Sequence, residues 1–306
     1  MKKEPFSYYL CTMYYRRKIL LSLLQTFEGE LDKMSLQKIL FLFSRQQQDK
    51  SFYFVPYKYG CFSFQANADL GTLVKYGLVK ESEKTWSKTD QLDYLKELKP
   101  SDKQGIQTVK NKFGTLSKDE LVRLTYTNYP YYAINSTIAT SVLNLEEMSK
   151  VERQKPNKTE TVLFTIGYEG ISLEEYLNKL IINNVRVLCD VRKNPLSMKY
   201  GFSKSQLQKA CQGIGIEYVH IPEVGITSDK RQDLKFQADY DHLFEFYRAT
   251  VLKNEVGKQE EILSVLKNKK RIALTCFEAN IHQCHRKHLA ESISKMEGFN
   301  YELKHI

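Results

Sequence analysis

From residue 161 onward the chain alternates short apolar runs with longer amphipathic ones, and that rhythm admits few folds. TVLFTIGYEG reads as a strand and turn, and SLEEYLNKLIINN as a helix opened by Ser172 with acids in its first turn. VRVLCDVR reads as a strand, SKSQLQKACQGIG as a helix capped by Ser203, and EYVHIPEVG as a strand. DYDHLFEFYRATVL and QEEILSVLKN read as helices, RIALTCFE as a strand, CHRKHLAESISKM as a helix and NYELKHI as a last strand. Strands that alternate with helices of this length predict a parallel sheet with helices on its faces. The continuously apolar strands fit burial on both faces.

Two of these strands run straight into polar clusters. VRVLCDVRKNPLS ends on Cys189, Asp190 and Arg192; RIALTCFE ends on Cys276 and Glu278, and a helix then opens at Cys284, His285 and Arg286. Ligands of open parallel sheets sit outside the carboxyl ends of the strands, so the two clusters are expected to share one crevice. Side-chain alternation sets Cys276 and Glu278 on one face of their strand, and Asp190 and Arg192 on one face of theirs. The first N–H groups of the helix form an anion site, with Arg286 as a fork for phosphate or carboxylate. The turn Gly167-Tyr168-Glu169-Gly170 offers further N–H groups beside an aromatic face, without the glycine spacing of a dinucleotide fingerprint.

Four readings of this cluster remain open. Glu278 is a catalytic carboxylate supported by Asp190, with Arg192, Arg286, His285, Cys284, Tyr168 and Gly167 binding the ligand. Alternatively Cys276, Cys284 and His285 hold a metal, although C-x7-C-H is not an ordinary zinc spacing, and no metal is expected. A thiol nucleophile at the helix start is the third reading; the C-x5-R phosphatase spacing fails, because His282 stands six residues after Cys276. In the fourth, the charges simply pair, Asp190 with Arg192 and Glu278 with Arg286, and Cys276 is core. Ionisable groups gathered at strand ends favour a site.

The ordered series TIGYEG, CDVRKNPLS, GIEYVHIPEVG and CFEAN…CHRKHLAE resembles the bacterial family catalogued as domain of unknown function 488, over most of residues 161–306. The resemblance implies an α/β domain whose polar site is built from Asp190, Arg192, Glu278, Cys284, His285 and Arg286. It implies no settled reaction and names no cofactor. The stretch between Gly225 and Arg271 is lengthened here with charged helices, so a different substrate entrance is expected.

The first half is of another kind. Ile19, Leu20, Leu23 and Leu24 make one helical stripe; Leu36, Ile39, Leu40 and Phe43 make a second, with Ser35 as the expected N-cap. SFYFVPYKYG reads as extended, and Phe64 to Tyr76 as a helix closed by Gly77. Residues 99–120 read as a basic loop, and the charge-dense KVERQKPNKTE as a linker over 150–160. Residues 1–160 carry 25 Lys and Arg against 18 Asp and Glu, the remainder 21 against 18. A basic, aromatic-rich first half suits a polyanion, and Tyr57, Lys58 and Tyr59 are its candidate nucleic-acid surface. Residues 33–80 resemble the Panacea, or SocA-like antitoxin, domain, with its L-Q-K helix and G-L-V wing; Cys61 stands where that family has proline.

The predicted architecture is α/β: a parallel, Rossmann-like three-layer domain over 161–306, preceded by a mainly helical, winged-helix-like recognition domain over 1–149. Six cysteines in 306 residues fit reduced thiols, no apolar run reaches membrane-spanning length, and the start lacks a signal-peptide pattern; a cytoplasmic protein is expected. The expected activity is hydrolysis of a nucleotide or nucleic acid, by phosphodiester or N-glycosidic cleavage. The alternative is a non-enzymatic nucleotide-sensing or nucleic-acid-binding regulator with a protein partner, of the toxin–antitoxin or phage-defence type.

Overall fold

A computed structural model describes residues 13–231 and 234–306; the first twelve residues, which carry part of the leader reading, lie outside them. The chain forms two units, Met1–Lys155 and Pro156–Ile306.

In the first unit, α1 (Tyr15–Thr26) and α2 (Lys33–Ser44) bury the predicted stripes, with Ile19, Leu20, Leu36, Ile39 and Phe43 all fully buried. The cap of α2 differs from expectation. Asp32, not Ser35, accepts the first N–H groups, from Met34 and Ser35, which places Ser35 inside the first turn. A carboxylate accepts these bonds with charge assistance and so sets the boundary earlier. A hairpin follows, β2 (Val55–Tyr57) and β3 (Gly60–Phe62), and then α3 (Phe64–Lys75), capped by Ser63 and followed by Gly77 at φ +72°. A second, antiparallel sheet takes the order β1 (Glu30–Asp32), β5 (Thr85–Lys88), β4 (Val79–Glu81).

The expected basic loop over 99–120 is helical. Pro100 opens α4 (Pro100–Phe113), which buries Ile106 and Val109, and Ser117 with Glu120 forms a capping box for α5 (Lys118–Asn128). The lysines hid the pattern: Ile106, Val109 and Phe113 recur at helical spacing beneath them. Likewise α6 (Leu145–Glu152), with its Asn144–Glu147 capping box and buried Val151, occupies the start of the expected linker.

The second unit contains one five-stranded sheet, parallel throughout. Its strands are β6 (Val162–Gly167), β7 (Val187–Asp190), β8 (Glu217–His220), β9 (Arg271–Cys276) and β10 (Glu302–His305). Its helices are α7 (Leu173–Ile182), α8 (Lys204–Gly213), α9 (Gln237–Tyr247, continued by a π-helical turn over Arg248–Leu252), α10 (Val256–Lys269) and α11 (His285–Ser294). Each falls where the apolar rhythm places it. Ser172 caps α7 in a capping box; Ser203 stands at the start of α8, but its hydroxyl bonds the backbone of Ser197 instead.

The strand order is β10-β6-β9-β7-β8. It differs from the common doubly wound orders, because β9 enters between β6 and β7. The register sets Asp190 beside Thr275, and Gly167 beside Cys276. Thr275 accepts a hydrogen bond from Tyr176 of α7 at 2.7 Å, which marks one face of the sheet. Cys189 and Leu274 lie on the other, packed with Leu266 of α10 and Leu289 of α11.

Candidate functional site

The carboxyl ends of β6, β7 and β9 lie side by side, so three loops meet at one edge of the sheet. Gly167 makes the closest approach. A Cβ there would stand 2.0 Å from the Glu278 carbonyl oxygen, so only glycine fits. The backbone N–H groups of Tyr168 and Glu169 both donate to the Phe277 carbonyl, at 3.1 and 2.9 Å. Glu169 in turn accepts from the Ala279 N–H at 2.9 Å. The expected N–H cradle at Gly167 and Tyr168 is therefore engaged in tying two loops together.

Arg286 serves the same tie. It is buried, and its guanidinium donates to the carbonyls of Glu278 at 2.5 Å and Ala279 at 3.4 Å. It holds backbone where a phosphate fork was expected. Glu278 itself is half-buried on the loop after β9.

Asp190 is fully buried, and both of its oxygens are engaged. Arg192 grips it with two bonds, Nε to Oδ1 at 2.8 Å and Nη2 to Oδ2 at 2.5 Å, and Tyr218 donates to Oδ2 at 2.6 Å. Arg192 also donates to the Tyr168 hydroxyl at 2.7 Å and the Phe202 carbonyl at 2.9 Å. Burial opposes the charge on Arg192, but hydrogen bonding and attraction from Asp190 outweigh it and hold the guanidinium above its ordinary range. Burial and the same carboxylate push the Tyr218 hydroxyl up as well. Tyr168 stacks on Phe202 with centroids 4.2 Å apart. The shared crevice expected for the two acids is not formed by Asp190. Its register puts it on the Thr275 face, across the sheet from Cys189 and Leu274.

Cys276, Cys284 and His285 do converge. Their ligand atoms all lie within 4.8 Å of one another, and all three side chains are buried. His285 reaches Cys276 Sγ with Nδ1 at 3.6 Å and the Val191 carbonyl with Nε2 at 3.1 Å. Burial pushes the Cys284 thiol well above its usual range, so the depressed thiolate expected of a nucleophile is not what this environment produces.

Beside this group lies a cleft of about 260 Å3, walled by Tyr168, Arg192, Lys193, Ser197, Cys276 and Phe277. A second cleft of about 260 Å3 shares Lys193 and Ile226 with it and adds Lys230, Phe246 and Tyr247. Phe246 and Tyr247 belong to α9, within the stretch between Gly225 and Arg271.

In the first unit, Tyr57, Lys58 and Tyr59 line a cleft of about 540 Å3 together with Lys33, Lys84 and Trp86. Tyr57 is half-buried and stacks on Phe62 at 5.0 Å, whereas Lys58 and Tyr59 are exposed. Lys38, buried on the wall of this cleft, donates its ammonium to the carbonyls of Tyr59 and Cys61, and burial lowers its pKa.

Lys38, Lys193, Phe202 and Tyr218 were not anticipated. Lys38 had a signal, a lone cation in the apolar run LQKILFLF; Phe202 and Tyr218 reach the site only through tertiary packing.

The unit that carries the strand-end site is thus an α/β domain with a five-stranded parallel sheet. Residues 172–293 match the family model described as Domain of unknown function DUF488, a span that takes in Asp190, Arg192, Cys276, Glu278, Cys284, His285 and Arg286. No curated protein matches the chain. Among the described residues, no helix is long and apolar enough to cross a membrane.

Proposed function

We propose that the second unit is a hydrolase acting on a nucleotide or nucleic acid at the carboxyl edge of its sheet. The observation that carries this reading is the pair of clefts that share Lys193 and Ile226. Exposed Phe277 and Phe246 offer faces for a base, while Lys193 and Lys230 offer cations for phosphate. Glu278, next along the chain from the cleft residue Phe277, is the proposed general base. Asp190 touches no substrate in this reading; it fixes Arg192, and through it Tyr168, in the cleft wall.

Glu278→Gln tests the reading. Nucleotide and oligonucleotide turnover should fall by about 100-fold or more, the usual contribution of a positioned base, while ligand binding persists. A wild-type protein that binds such ligands without turning any over would sink the hydrolase. Product analysis then separates the two chemistries: N-glycosidic cleavage releases a free base, and phosphodiester cleavage leaves shortened strands.

The first unit supports a second reading, that of a nucleic-acid-binding regulator. Its helices α1, α2 and α3, followed by the β4–β5 hairpin with sheet order β1-β5-β4, fit a winged-helix-like arrangement, and the lysine-lined cleft holds Tyr57, Lys58 and Tyr59. Replacing Lys58 and Tyr59 should weaken salt-dependent DNA or RNA binding. Unchanged binding would remove that role.

A further inference from the structure

We propose that Cys276, Cys284 and His285 form a binding site for a divalent transition metal of the zinc class. The chemistry of the donors points to this. Two sulfurs and one imidazole nitrogen lie within 4.8 Å of one another, a soft donor set that suits zinc far better than magnesium or calcium. The second observation is the tautomer of His285. A carbonyl can only accept, so the 3.1 Å contact to Val191 requires the proton on Nε2. The other ring nitrogen, Nδ1, then faces Cys276 Sγ, 3.6 Å away. A backbone carbonyl that fixes the distal nitrogen is the usual device by which a histidine ligand is oriented.

Charge favours the same conclusion. All three groups are at most 1% exposed, where an isolated ion would be costly. Two thiolates balance a divalent cation, so the filled site carries no net charge from its ligands and metal. The donors come from the end of β9 and the start of α11, both held by regular structure. Cys276 also lines the strand-end cleft, on which side a fourth ligand would complete the tetrahedral set. The proposal does not depend on the hydrolase reading, since a metal that only braces β9 against α11 satisfies it equally.

The test uses the full chain, purified under reducing conditions without chelator. Elemental analysis should find about one zinc per chain by the logic of a single three-donor site. Exchange with Co2+ should give thiolate-to-cobalt charge-transfer bands and intense visible bands. Cys276→Ser and Cys284→Ser should each abolish stoichiometric binding, whereas Cys211→Ser, a buried thiol outside the group, should keep it. The wild-type cobalt spectrum needs no variant to fold. Its absence, a Cys276–Cys284 disulfide in the reduced preparation, or zinc that survives both ligand substitutions would each overturn the proposal.

Discussion

The pair Asp190 and Arg192 is the tightest electrostatic unit of the second half. Each side chain is nearly excluded from solvent, at 0% and 5% exposure. Such a pair adds little over an apolar replacement, yet removing one partner strands the other. Asp190→Asn should therefore cost about 3–5 kcal/mol, and Tyr218→Phe, which removes one hydrogen bond to a charge, about 1.5–3 kcal/mol. Urea unfolding can assign the loss to its unit. The single tryptophan, Trp86, lies in the first unit, so its fluorescence follows that unit, while circular dichroism follows both. A loss below about 1 kcal/mol for Asp190→Asn would place the pair among weak surface bridges.

His288 supplies a pH dependence at the same scale. Burial against Phe244, with Arg248 beside it at 3.1 Å, lowers its pKa to about 4 from the ordinary 6.5, while Glu291 acts the other way and Lys287 and His285 add to the lowering. The unfolded chain takes up the proton first. His288 thus contributes stability that is full above about pH 6.5 and is lost as the pH falls toward 4. His288→Asn should flatten unfolding free energy against pH in that window by up to about 1.4 kcal/mol per unit. An unchanged slope would show that the ring is protonated in the folded protein.

Among elements, the joint between the ends of β6 and β9 is the most demanding. Gly167→Ala drives a methyl group into the Glu278 carbonyl and should cost at least about 3 kcal/mol, the upper end of overpacking. Gly170 has a positive φ of +78° but open space around it, so Gly170→Ala should cost only about 1–2 kcal/mol. Thermal melts of the two variants settle the order; equal costs would mean that the joint gives way easily. Sequence patterning located the second unit's strands and helices, because apolar runs and turns mark them locally. It missed α4 and α6, whose apolar residues are diluted by lysine and glutamate. It also expected Asp190 and Glu278 to share one crevice, whereas Asp190 is wholly buried against Arg192 and Tyr218. Residue alternation gives the face within one strand, but the register between β7 and β9 is fixed only by the assembled sheet.

For the molecule as a whole, division into Met1–Lys155 and Pro156–Ile306 predicts that each piece folds when expressed alone, with its own cooperative melt. The first has a core around Leu20, Leu36 and Phe43, and the second around Leu163, Leu274 and Leu289. A fragment that stays unfolded would show that its core is insufficient by itself. The basic and aromatic clefts of the two units were legible only in part: the sequence singled out Tyr57, Lys58 and Tyr59, but not that folding gathers them with Lys33, Lys84 and Trp86 around a hollow.

The position of β9 bears on how the protein is made. β6 and β7 are not adjacent, so until Arg271–Cys276 has left the ribosome they have no proper partner for their facing edges. A growing chain that has emerged as far as α10 therefore holds two bare sheet edges at its heart, the kind of surface that chaperones cover and aggregates exploit. The short strand Arg271–Cys276 thus decides whether the preceding hundred or so residues consolidate at all, and premature termination before it should yield insoluble product.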